Sequence, residues 1–181
     1  PAGTDADETE EKTEQAAEQK TLTYEGADYT VIINYTDDAE IPDNATLEVS
    51  EIGKDTPEYN NYLDQAKAAV KEDKEEKTVN EARFFDITIL ADGEKIEPAA
   101  PVNVQINFAG IEQTKAEDTQ LLHYKDDKNV EVMDQAEFGK SEDSANDANS
   151  VDTVQFEAEG FSVYGIVGTE TITVEYLTDE G

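Results

Sequence analysis

The chain has 181 residues, with 45 acidic against 13 basic and a formal net charge of -32. That length holds one good-sized domain with tails, and that charge repels phosphate backbones and anionic lipid, so nucleic-acid and membrane-surface roles are disfavoured. There is no cysteine, which excludes disulfides, thiolate metal sites and cysteine nucleophiles and leaves the redox compartment open.

Residues 1–20 carry seven acidic residues, two lysines and no aliphatic side chain larger than alanine, and read as an acidic disordered linker. Strand patterns begin at Thr21-Leu22-Thr23-Tyr24. After a turn at Glu25-Gly26-Ala27-Asp28, Tyr29, Val31, Ile33 and Tyr35 fall on one face of a second strand. A third runs from Ala45 to Ile52 behind the turn Ile41-Pro42-Asp43-Asn44. The period then changes. Tyr59, Tyr62, Leu63, Ala66 and Val70 make one helical stripe over about residues 57–76, with Thr56 placed to cap it and Pro57 at its first position. This helix is expected across an open end or face of the strands.

Phe84 to Leu90 resumes the strands, and Asp92-Gly93 marks a tight hairpin. From Pro101 to Phe108 apolar and amide residues alternate without a break, the mark of an antiparallel strand with one buried and one wet face. Leu121 to Tyr124 and Val130 to Met133 flank a second hairpin candidate at Lys125 to Asn129, and Ser141 to Ser150 reads as a mobile loop. Val154 to Ala158 and Phe161 to Val167 are expected as a closing pair of strands around Glu159-Gly160. Residues 169–181 are left over, with a strand-like Thr171 to Tyr176, as a linker or the first strand of a following module. The fold expected is mainly β: an antiparallel β-sandwich spanning residues 21–168 with one inserted helix. No apolar run is long enough to span a bilayer, so no membrane insertion is expected in this segment.

Several segments, in their order, carry a resemblance: Ala27-Asp28-Tyr29-Thr30-Val31, Ala39 to Ala45, Pro57-Glu58-Tyr59 through Tyr62-Leu63, Ala82 to Ile87, Glu97-Pro98, and Gly160 to Val167. They resemble the repeated extracellular modules of cell-wall-anchored surface proteins of Gram-positive, especially gut-dwelling, bacteria. The C-terminal half also resembles the ZU5-type β-sandwich family, in which a His-Phe-Ser site can cleave itself; here Gly160 stands in place of that histidine. The resemblance implies an extracellular, cell-surface, tandemly repeated adhesin module with no enzymatic activity. Its partners would be a host secreted protein, such as an immunoglobulin or a mucin, or a glycan, besides neighbouring modules of the same chain. A structural spacer or stalk module is the alternative, an immunoglobulin-binding module a narrower one, and self-cleavage at Phe161-Ser162 a minor one.

No residue pattern announces a catalytic centre. Ser162 reads as a solvent-facing strand serine between core-facing Phe161 and Val163, without a base. His123, the sole histidine, alternates onto the face of Leu121 and away from Leu122 and Tyr124. The acidic clusters at Asp37-Asp38, Asp126-Asp127 and Glu142 to Asn149 lack the glycine and bidentate glutamate of an EF-hand, so no metal and no cofactor is expected. The first and last strands lack a Lys-Asn or Thr-Gln pair for an internal crosslink. Candidate binding residues are Tyr59, Asn60 and Tyr62 on the helix, since tyrosine suits binding surfaces, and Asn103, Gln105 and Asn107 on the wet face of the alternating strand.

Overall fold

The computed structural model describes residues 18–111, 115–126, 128–140 and 150–172. The expected linker up to residue 17, the loop at 141–149 and most of the leftover strand lie outside these residues. In chain order the strands are β1 (Lys20–Glu25), β2 (Tyr29–Tyr35), β3 (Thr46–Glu51), β4 (Lys77–Ala91), β5 (Glu94–Ile96), β6 (Val102–Ile111), β7 (Thr119–Tyr124), β8 (Val130–Val132), β9 (Glu137–Gly139), β10 (Val151–Ala158) and β11 (Val163–Thr171). Helix α1 (Pro57–Asp73) lies between β3 and β4. The chain is mainly β, an antiparallel sandwich with one inserted helix among the described residues. One sheet, A, has the order β1-β2-β6-β10-β9; the other, B, has β3-β4-β11-β7-β8, with β5 hairpinned onto β4. That hairpin turns on Asp92 and Gly93 alone, at φ of 55° and 79°, which a primed two-residue turn requires and which glycine adopts freely.

Alternation in sheet A turns Val31, Ile33 and Tyr35 of β2, Val104, Ile106 and Phe108 of β6, and Val154 and Phe156 of β10 inward. They meet Leu47 and Val49 of β3, Phe85, Ile87 and Ile89 of β4, and Tyr164 and Ile166 of β11. Sheet B is buried on its second face too, because α1 covers it. Ala66 and Val70, with Tyr59, Tyr62 and Leu63, pack on Val79, Ala82, Phe84, Leu122, Tyr124, Val163 and Val167. A fully buried valine, leucine or phenylalanine among them contributes about 1.5–3 kcal/mol, enough for the apolar stripe to hold a helix that propensity alone would leave marginal. The helix begins as expected: Thr56 Oγ1 accepts from the Tyr59 amide at 3.2 Å, and Pro57 follows it. It ends at Asp73, where the Lys74 amide donates to Val70 at 2.8 Å.

The structure corrects the strand reading in four places. β10 and β11 are not a hairpin: β10 pairs β6 and β9 in sheet A, β11 pairs β4 and β7 in sheet B, and Glu159 to Ser162 cross between the sheets. β4 starts seven residues before Phe84, at Lys77, and β9 is a strand the sequence did not suggest. β11 also runs past Gly168 to Thr171, which pairs with Lys77.

Register fixes the two ends of the sandwich. Lys20 pairs with Tyr35, Asn34 with Asn103 and Val102 with Ala158, so β1 starts at the end where β10 finishes. The crossover brings β11 in at that same end, at Val163, and β11 leaves at the other, where Arg83 of sheet B reaches Asp28 and Ala109 of sheet A. The chain thus passes into β1 at one end of the sandwich and out of β11 at the opposite end.

Candidate functional site

The alternation that fills the core sends a second set of side chains out from sheet A. Strand register aligns Thr30, Asn107 and Thr153 in one row, and Ile32, Gln105 and Gln155 in the next. A third row holds Asn34, Asn103 and Glu157. The amides are linked: Gln155 Nε2 donates to Gln105 Oε1 at 2.9 Å, and Gln105 Nε2 to Asn107 Oδ1 at 2.9 Å. Thr21 Oγ1 donates to Asn34 Oδ1 at 2.8 Å at the β1 side. In a chain in which 32% of residues are charged, these rows carry one charge on β2, β6 and β10, at Glu157, and are flanked by Glu25 of β1 beside Thr30 and Glu137 of β9 beside Gln155. The face offers donors and acceptors side by side, suited to a partner that also presents both.

Asn103, Gln105 and Asn107 therefore lie together on this face. Tyr59, Asn60 and Tyr62 lie on α1, beyond the far face of sheet B, so the two groups cannot form one site. Tyr59 donates its hydroxyl to the Ala82 carbonyl at 2.8 Å and sets its ring edge-on to Phe84. Tyr62 packs on Phe84 and Tyr124, and the Tyr124 hydroxyl donates to the Tyr62 carbonyl at 2.7 Å. Both tyrosines serve the helix–sheet contact, and only Asn60 is exposed. Thr30, Ile32, Thr153 and Gln155, which complete the amide face, were not among the expected residues. The signal lies in the alternation of β2 and β10, whose polar half faces outward where the apolar half faces the core.

Ser162 is a correction. It is not a free strand serine: its hydroxyl lies 2.8 Å from the Tyr124 carbonyl and 2.9 Å from His123 Nε2. Phe161 and Val163 are both buried but in different layers, Phe161 between the sheets and Val163 under the helix. His123 keeps the face expected for it, stacked on Tyr164 with ring centroids 4.2 Å apart. The fold has thus brought to Ser162 a histidine that its neighbours in sequence do not supply. The serine hydroxyl has one proton to give and two acceptors in reach, the Tyr124 carbonyl and His123 Nε2, and the histidine tautomer decides which of them takes it. Burial lowers the imidazole pKa, with Glu131 opposing and Lys125 assisting, which keeps the ring neutral at pH 7. A groove of about 560 Å³ borders His123 and carries Glu131, Asp134, Glu157 and Glu159 against Lys125, whereas Ser162 lines a separate groove of about 250 Å³ with Asp86 and Asp126 against Lys95 and Lys125. The Phe161-Ser162 peptide is pinned on both sides: the Phe161 amide donates to Glu97 at 2.8 Å, and Ser162 accepts from the Ile87 amide at 3.0 Å.

The remaining polar groups are occupied by the fold. Asp126 accepts from the Lys128 and Asn129 amides and the Asn129 side chain, which hold its carboxyl below the usual range, the Lys128 amide most. Asp37 and Asp43 hold Lys20 at 3.1 and 3.2 Å. Asp127 and the whole Glu142 to Asn149 cluster lie outside the described residues, among which no cluster of three or more metal-ligating side chains occurs. Lys77 pairs with Asp118 at 3.0 Å. Arg83 is the deepest cation described: its guanidinium grips Glu51 twice at 2.7 Å, Asp28 at 2.8 Å and the Ala109 carbonyl at 3.2 Å, against the rings of Phe85 and Tyr29. Burial works against that charge, but Glu51 and Asp28 outweigh it and raise the pKa.

No protein-family model, curated protein or solved structure matches the chain. No helix among the described residues is long and apolar enough to cross a membrane.

Proposed function

We propose that this chain is a non-catalytic extracellular module of a bacterial cell-wall surface adhesin, holding a neutral host glycan or secreted protein against the outer face of sheet A. The observation behind this is the amide and hydroxyl array on β2, β6 and β10, on which Glu157 is the one charged side chain. A surface with so much acid repels anions everywhere else, and amides in register can exchange hydrogen bonds with hydroxyls or peptide groups in both directions. Immunoglobulin and mucin remain the host candidates that the family resemblance suggests.

The test is retention of neutral mucin-type oligosaccharides and of secreted immunoglobulin on the immobilised chain over a salt series, beside Gln105→Lys/Gln155→Lys. Retention that survives high salt and is lost in the double variant supports the reading, since screening removes charge-only attraction. No retention, or equal retention by the variant, removes it.

A spacer in a tandem array is the second reading, and a separate observation favours it. The chain comes in and goes out at opposite ends of the sandwich, and Ile172 is the one large hydrophobic residue exposed among those described. Such geometry suits modules strung end to end.

A further inference from the structure

The positions of the first and last strands have a mechanical consequence. β1 is joined at its Lys20 end to the preceding residues and runs inward toward Glu25; β11 runs toward Thr171 and the following residues at the opposite end. Tension applied through the flanking residues pulls each strand along its own axis. β1 would have to slide past β2, and β11 past β4 and β7 together. Every ladder hydrogen bond of a strand then resists at once, because none can break ahead of its neighbours. Pulled apart from one end, the same antiparallel ladder would open bond by bond. β11 also sits in the middle of sheet B, buried on both faces, so sliding it drags Tyr164 and Ile166 through the core and Val163 and Val167 past the helix.

We infer that the module carries tension along its length, with β1 and β11 as strands loaded in shear. The inference rests on the opposite-end geometry behind the spacer reading but is separable from it, since a module can space its neighbours without resisting force. It is independent of any partner on sheet A.

The chain contains no cysteine, so paired cysteines attach handles at chosen points of the whole 181-residue protein. Gln19→Cys/Ile172→Cys applies shear. Glu76→Cys/Ile172→Cys grips the adjacent ends of β4 and β11, where the Ile172 amide donates to the Glu76 carbonyl at 2.7 Å, and peels the same pair apart. All three side chains are exposed, and thermal melts of both variants against the parent check that the fold is unchanged. Under single-molecule pulling at one loading rate, severalfold higher unfolding force in the first geometry is expected. Equal forces, or a lower force through Gln19 and Ile172, would overturn the inference. Loss of partner binding with the force difference intact would remove only the adhesin reading; equal forces with both ends still accommodating neighbours would leave spacing and remove tension.

Discussion

At the scale of single residues, Arg83 ties the sheets together, joining Glu51 and its own strand in sheet B to Asp28 and Ala109 in sheet A. Arg83→Met keeps bulk against Phe85 and Tyr29 but strands two carboxylates. A loss of about 3 kcal/mol is expected, the low end for a broken buried pair because Asp28 still reaches water, and urea unfolding measures it. A change under about 0.5 kcal/mol, the scale of ordinary surface substitutions, would mean the cluster is incidental. His123 gives a pH signature whose sign follows from burial. Its folded pKa lies below the ordinary 6.5, so on acidification the unfolded chain takes up the proton first. Stability present above that value is lost as pH falls through it toward the folded pKa. His123→Gln can still donate to Ser162 Oγ but does not titrate, and is expected to flatten the slope of stability between about pH 7.5 and pH 5.5. Parallel slopes in parent and variant would assign the effect to other groups.

At the scale of elements, the sequence was most informative where alternation or helical period was clean. β2, the outward amides of β6 and the stripe of α1 were all legible, down to Thr56 and Pro57. Alternation tells which way a side chain faces but not which strand lies alongside, so the separation of β10 and β11 into different sheets could not be read from it. The start of β4 was hidden for another reason: register slips between Gly168 and Thr169 opposite Glu81 and Val79, leaving Asn80 as an extra residue that breaks the period. The amide face was half legible, since Asn103, Gln105 and Asn107 sit on one strand whereas their neighbours on β2 and β10 come from register. Gly165 shows how tightly β4, β7 and β11 are fitted. A Cβ there would lie 2.8 Å from Phe84 Cδ1 and 3.4 Å from Tyr124 Cε2, the rings on which the helix rests. Gly165→Ala is expected to cost about 1–3 kcal/mol and to shift the near-ultraviolet tyrosine signal of the helix contact. A variant as stable as the parent would show that Phe84 has room to move.

For the whole molecule, the balance of charge dominates. A formal charge of -32 on a chain of 181 residues repels itself, and the ion pairs described at Lys20, Lys77, Arg83, Lys95 and Lys125 offset a small part of it. The melting temperature is therefore expected to rise with sodium chloride as screening weakens the repulsion. A melting temperature that stays flat or falls would place the repulsion mostly in the unfolded chain.

The central place of β11 in sheet B also sets the order in which the protein can be completed during synthesis. Until residues 163–171 have emerged, β4 and β7 have no common neighbour, and sheet B exists only as the separate pieces β3-β4-β5 and β7-β8. Most of the pairs that close the sandwich join residues far apart in the chain, so a nascent module stays open, with unpaired edges, until almost its last strand is made. A ribosome that stalls before Val163 leaves a product with every strand of sheet A but without the central strand of sheet B, so its core cannot close.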